Sequence, residues 1–159
     1  MLLTPMGLRV AGRTIPCTIG RGGVTGAKRE GDGATPRGAH RIVGMLYRAD
    51  RMARPASWAL PIGPRDLWCD DPGHPDYNLM VRAPHPASAE RLARADRLYD
   101  LVILTGWNWP RAVRGHGSAI FLHRWRGPGR PTEGCVAMAP GDLRWLAGRI
   151  GHATRLIVP

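Results

Sequence analysis

A chain of 159 residues, 43% of them apolar, is long enough to bury one hydrophobic core without disulfides or metals, so a single domain over residues 1–159 is expected. The formal net charge of +11 rests almost wholly on arginine, Lys28 being the only lysine. No basic helix, aromatic–basic interleaving or finger spacing accompanies it, which argues against nucleic acid and leaves an anionic polymer or a plain arginine bias.

Leu8–Val10 and Thr14–Ile19 predict two strands around the turn Ala11-Gly12-Arg13, an opening hairpin. Residues 20–38 read as a loop, in which Lys28, Arg29, Glu30 and Asp32 form an exposed charged turn. His40–Tyr47 is a strand. Residues 54–87, rich in proline, read as a long surface excursion of the kind that walls a binding site. Ser88 is placed to cap a short helix ending near Arg97, and residues 98–104 extend from it as a buried strand. Leu101–Leu104, closed by Asp100 and Thr105, is far short of the roughly 18 apolar residues of a membrane span. Ile120–His123 and Val136–Met138 are two further strands. Leu143, Leu146, Ala147 and Ile150, at i, i+3, i+4 and i+7, mark one face of a helix beginning around Pro140, with Asp142 at its positive end. Thr154–Val158 closes the chain as a strand. The sum is a mainly β (α+β) domain with two short helices. The stretch Met1–Arg9 lacks the basic start and apolar length of a secretory signal.

Chemistry concentrates in Ala119-Ile-Phe-Leu-His123 and Thr132-Glu-Gly-Cys135-Val-Ala-Met138, the histidine twelve residues before the cysteine. A thiolate is the reactive form of cysteine, and a nearby imidazole can take its proton. Gly134 permits a tight turn beside the sulfur, where amide N–H groups can hold an oxyanion. The pair therefore points to acyl transfer through a thioester. The plainer alternatives are a small buried cysteine and a satisfied core histidine. His116, in a glycine-rich turn, is a rival base; His40, His74, His85 and His152 read as loop or surface residues. Three cysteines leave Cys17 and Cys69 either paired or as free thiols once Cys135 is set aside. No two cysteines stand at zinc-knuckle spacing, and no metal is expected.

Gly117-Ser-Ala-Ile-Phe-Leu-His123 with Pro131-Thr-Glu-Gly-Cys-Val-Ala-Met138 resembles the catalytic signature of the L,D-transpeptidases, the YkuD-like family of peptidoglycan cross-linking enzymes. Gly20-Arg-Gly-Gly23 and Lys28-Arg-Glu-Gly-Asp-Gly-Ala-Thr-Pro-Arg-Gly38 are similar to the family's early segment. Trp68-Cys-Asp-Asp-Pro72 with Tyr77-Asn78 looks like its short, catalytic-domain-only branch. The resemblance implies a β-sandwich or barrel-like catalytic domain, with Cys135 as nucleophile, His123 as base oriented by a backbone carbonyl, and Gly134 at the oxyanion site. Thr132 takes the place of the family's usual Ser or Thr, its hydroxyl steadying either the catalytic loop or the substrate; Ser118 and His116 are further substrate contacts, and Trp68, Asp70, Asp71, Tyr77 and Asn78 are placed to wall the cleft, with core packing the alternative for Trp68. Glu133 departs from the family's usual histidine; a carboxylate there raises the thiol pKa unless it turns away or pairs with arginine, and it is assigned to attracting the incoming ammonium. Ala137 replaces a frequent arginine, whose carboxylate-binding role is transferred to Arg37, Arg124 or Arg126. The expected function is peptidoglycan cross-linking between donor and acceptor stem peptides, by a monomer without cofactor, in the periplasm or cell wall. Hydrolysis of stems or cross-links, and a non-catalytic wall-binding module, are the alternatives.

Overall fold

The computed structural model describes residues 1–159. In chain order the strands are β1 (Leu2–Thr4), β2 (Gly7–Val10), β3 (Arg13–Ile15), β4 (Cys17–Thr18), β5 (Val24–Thr25), β6 (Thr35–Pro36), β7 (Gly38–Tyr47) and β8 (Leu60–Pro61). They continue as β9 (Asp66–Cys69), β10 (Met80–Arg82), β11 (Ala89–Arg91), β12 (Leu101–Thr105), β13 (Phe121–Arg124) and β14 (Val136–Met138). Helix α1 (Pro140–Ala147) and β15 (Arg155–Val158) end the chain. The main sheet runs β3-β2-β1-β15-β7-β12-β13-β14-β4, with β8 joined to β7. Its two edges, β3 and β4, are separated in the chain by Pro16 alone. The sheet therefore curls back on itself into a nearly closed, barrel-like form, and the mainly β expectation holds.

The alternation of side chains along the central strands divides the interior in two. Leu101, Ile103, Leu122, Val136 and Met138 enter the larger core, which Leu143, Leu146 and Ala147 of α1 close from outside the sheet. Val102, Leu104 and Phe121 point the other way, into a smaller cluster with Trp68, Leu92 and Tyr99. Because β12 is buried on both faces, its sequence is a continuous apolar run rather than an alternating one. Ile42 and Met45 of β7 share the larger core although three residues apart, because the ladder to β12 shifts register there.

Helix α1 starts at Pro140 as expected, and Ile150, past its end, still packs in the same core. The second helix does not form. Ala89–Arg91 instead pairs antiparallel with β9, whose other edge carries β10. Ser88 caps nothing: its carbonyl accepts the Asp70 N–H at 3.2 Å. A non-local strand partner here outweighs a weak local preference for helix. The excursion over 54–87 thus contains β8, β9 and β10. The N-terminal hairpin is β2 with β3, but Cys17–Thr18 leaves it for β14 at the opposite sheet edge. His40 is buried rather than superficial, with Nε2 2.9 Å from the Pro36 carbonyl.

Candidate active site

Strands β13 and β14 run parallel, with Leu122 opposite Val136 and His123 opposite Ala137. Cys135, one residue before β14, therefore lies beside Phe121, whose N–H donates to its sulfur at 3.4 Å. Cys135 and Ala137 are two residues apart, so Cys135 and His123 project from the same face of the sheet, towards the smaller cluster. The thiol donates to the Ala119 carbonyl at 3.1 Å; Ala119 itself has φ +51°.

His123 is 7% exposed and lies edge-on to Tyr99, ring centroids 5.3 Å apart. Its Nδ1 is 2.7 Å from the Arg124 carbonyl. A carbonyl only accepts, so Nδ1 carries the hydrogen and Nε2 keeps its lone pair. Burial, with the positive charges of Arg94 and Arg126 adding to it, pulls the imidazole pKa down to about 4. Burial pushes the Cys135 thiol up to about 12; the Glu90 charge adds to this and Lys28 opposes it. At neutral pH the pair thus rests as thiol and neutral imidazole, and the proton must move as the sulfur attacks.

The loop before the cysteine is held from two sides. The Thr132 hydroxyl accepts the Gly134 N–H at 3.2 Å and donates to the Cys135 carbonyl at 2.6 Å. The Thr35 hydroxyl, wholly buried, accepts the Gly20 N–H at 2.9 Å and donates to the Gly134 carbonyl at 2.8 Å. Gly134 has φ +134°, and a Cβ there would come within 2.8 Å of the Ala34 carbonyl oxygen. With the Gly134 amide engaged by Thr132, the Cys135 amide is the donor left unpartnered beside the sulfur.

Both candidate residues open into a cleft of about 350 Å³. Of the residues expected around it, Trp68, Asp70, Ser118, Arg126, Thr132 and Glu133 line it. Glu133 turns to Arg21, with its carboxylate 2.8 Å from Nε. His116, Arg37, Arg124, Asp71, Tyr77 and Asn78 lie outside the cleft. Tyr77 donates its hydroxyl to the Glu30 carboxylate. Asn78, 2% exposed, accepts from Trp68 Nε1 (2.9 Å) and the Ala119 N–H (3.0 Å) and donates to the carbonyls of Trp107 (3.0 Å) and Asn108 (2.8 Å). Its polar capacity is spent inside the protein, tying the Trp68 wall to the segment before His123.

Glu30, Glu90, Arg94, Tyr99 and Arg130 line the cleft unforeseen. In the 28–32 turn Arg29 and Asp32 are exposed as expected, but Lys28 is 7% exposed and pairs with Asp32. Arg94 bonds Glu90 at 2.9 Å and lies over the Tyr99 ring, while the Tyr99 hydroxyl donates to Glu90 at 3.0 Å. No local signal marks this group, because β11 reaches the cleft only through its pairing with β9. Arg126 and Arg130 bring positive charge to the cleft lining; Glu30, Asp70 and Glu90 supply carboxylates, and Asp70 Oδ1 is buried without a partner.

A family model for the L,D-transpeptidase catalytic domain, YkuD, matches residues 7–158. No curated protein matches the chain.

Proposed function

We propose that this chain, which belongs to the YkuD family of L,D-transpeptidase catalytic domains, cross-links peptidoglycan stem peptides through a thioester on Cys135. As the sulfur bonds to the donor carbonyl carbon, the thiol proton passes to Nε2 of His123. The Cys135 N–H, with the turn at Gly134, stabilises the oxyanion. Collapse of the tetrahedral intermediate breaks the peptide bond, and the departing amine takes the proton back from His123. An acceptor amine then attacks the thioester, gives its proton to His123, and the thiol is restored. The observation that carries this reading is the His123 Nδ1 contact with the Arg124 carbonyl, which leaves Nε2 bare on the face that bears Cys135.

Recognition follows from charge. Arg126 and Arg130 attract the free carboxylates of the donor, and Asp70 takes the role of drawing in the acceptor ammonium, since Glu133 is engaged by Arg21 and Glu30 by Tyr77. Peptidoglycan as substrate puts the proposed work in the periplasm or cell wall.

Intact-protein mass spectrometry after mixing with a tetrapeptide muropeptide tests this. A disaccharide-tripeptide adduct on the parent, absent from Cys135→Ala and followed by dimeric product, is expected. Tripeptide without dimer makes the enzyme a hydrolase. Sacculus binding with neither adduct nor product overturns the catalytic reading in favour of a binding module.

A further inference from the structure

Away from the cleft, the segment Cys69-x4-His74-x10-His85 gathers three metal-ligating side chains that the thioester chemistry does not use. One ligand atom from each lies within 4.8 Å of the other two. Asp76 joins them: its Oδ2 is 3.3 Å from His85 Nε2 and 3.6 Å from His74 Nδ1. With zinc–sulfur bonds of about 2.3 Å and zinc–nitrogen bonds of about 2.0 Å, the edges of a tetrahedral site are about 3.3–3.6 Å. The carboxylate–imidazole edges are near that length, the ligand atoms of Cys69, His74 and His85 lie within 4.8 Å of one another, and an ion at His74 Nδ1 would replace the Asp76 N–H that this nitrogen accepts at 3.2 Å.

We propose that Cys69, His74, Asp76 and His85 form a site for a borderline divalent ion of the zinc type, on the reverse side of the strand that walls the cleft. The donor set decides the class. Two imidazoles and a thiolate disfavour magnesium and calcium, and a carboxylate as fourth ligand favours tetrahedral zinc over a copper site with a weak axial ligand. His85 Nδ1 lies 3.4 Å from both the carbonyl and the N–H of Ala87. With Nε2 taken by the ion, Nδ1 carries the hydrogen and donates to that carbonyl, the usual outer partner of a ligating histidine. Cys69 is 0% exposed, whereas the side chains of His74 and Asp76 are 26% and 46% exposed, so the ion has a way in from solvent. Coordination takes the thiolate, so binding releases a proton.

The position gives the site a consequence. Trp68 and Asp70 face the cleft, and Cys69 between them points the opposite way. An ion there ties the end of β9 to the 74–76 turn and the 85–87 segment, bracing the wall from behind.

The test is titration of chelator-treated protein with cobalt(II). One equivalent is expected to give the near-ultraviolet thiolate–cobalt band and tetrahedral visible bands, both bleached by zinc. Cys135→Ala keeps the full signal, Cys69→Ser loses the ultraviolet band, and His85→Gln weakens binding at least tenfold. Because Cys69 is buried, His85→Gln serves where Cys69→Ser fails to fold, with circular dichroism as the check. No saturable spectrum, or a signal lost in Cys135→Ala and kept in the other two variants, overturns the proposal. None of these readouts depends on muropeptide turnover.

Discussion

At the scale of single residues, burial sets the proton chemistry. His123 in the folded chain holds a proton only below about 4, whereas the unfolded imidazole does so below about 6.5. Its contribution to stability is therefore fully present above pH 6.5 and is lost as pH falls towards 4. The difference amounts to about 3 kcal/mol. Urea unfolding of the parent and of His123→Gln is expected to diverge across that window, the parent losing stability more steeply on acidification. Parallel curves would mean the imidazole is not held neutral by its surroundings. The same shift keeps the proposed base available well into acid.

Elements bring their own test, because the cysteine loop is held by a strand far away in sequence. Thr35 lies on β6, and its hydroxyl links the Gly20 amide to the Gly134 carbonyl. Thr35→Val preserves shape and deletes both bonds, leaving buried polar groups unpaired at a cost of about 1–3 kcal/mol. Thermal unfolding should register that loss. Thioester formation, followed by mass spectrometry, should also slow by about tenfold or more, since one tenfold step corresponds to about 1.4 kcal/mol at the barrier. A stability loss with unchanged acylation would confine Thr35 to folding. The elements read from sequence divide by the range of their determinants. Helix α1 was legible because Pro140 and the Leu143, Leu146 and Ala147 spacing are local. The helix expected over 88–97 failed because β9, some twenty residues earlier in the chain, offers that segment a ladder edge.

Across the whole molecule, the +11 charge acts at a distance. The screening length is about 10 Å at 0.1 M salt and about 3 Å at 1 M. Co-sedimentation with purified sacculi is therefore expected to weaken several-fold between about 0.05 and 0.5 M sodium chloride. Replacing Arg126 and Arg130 together by alanine should flatten that dependence. Salt-independent binding would assign recognition to the uncharged contacts of the cleft instead. The two-core architecture places this chemistry well: the larger core with α1 stiffens one face of the sheet, and the smaller one, around Phe121, seats His123 and Cys135 on the other.

The sequence by itself determined the mainly β class, the helix at Pro140, and the family carried by His123 and Thr132–Met138. Each is written in contiguous residues whose periodicity or spacing is local. Only the tertiary structure decided that Asn78 is spent on internal bonds, that Glu133 turns to Arg21, and that Glu90, Arg94 and Tyr99 stand beside His123. It also decided that Lys28 is buried and that Cys69 meets two histidines. The physical reason is common to all: strand pairing joins residues distant in sequence, and whether a polar side chain is free or satisfied depends on partners that no local pattern names.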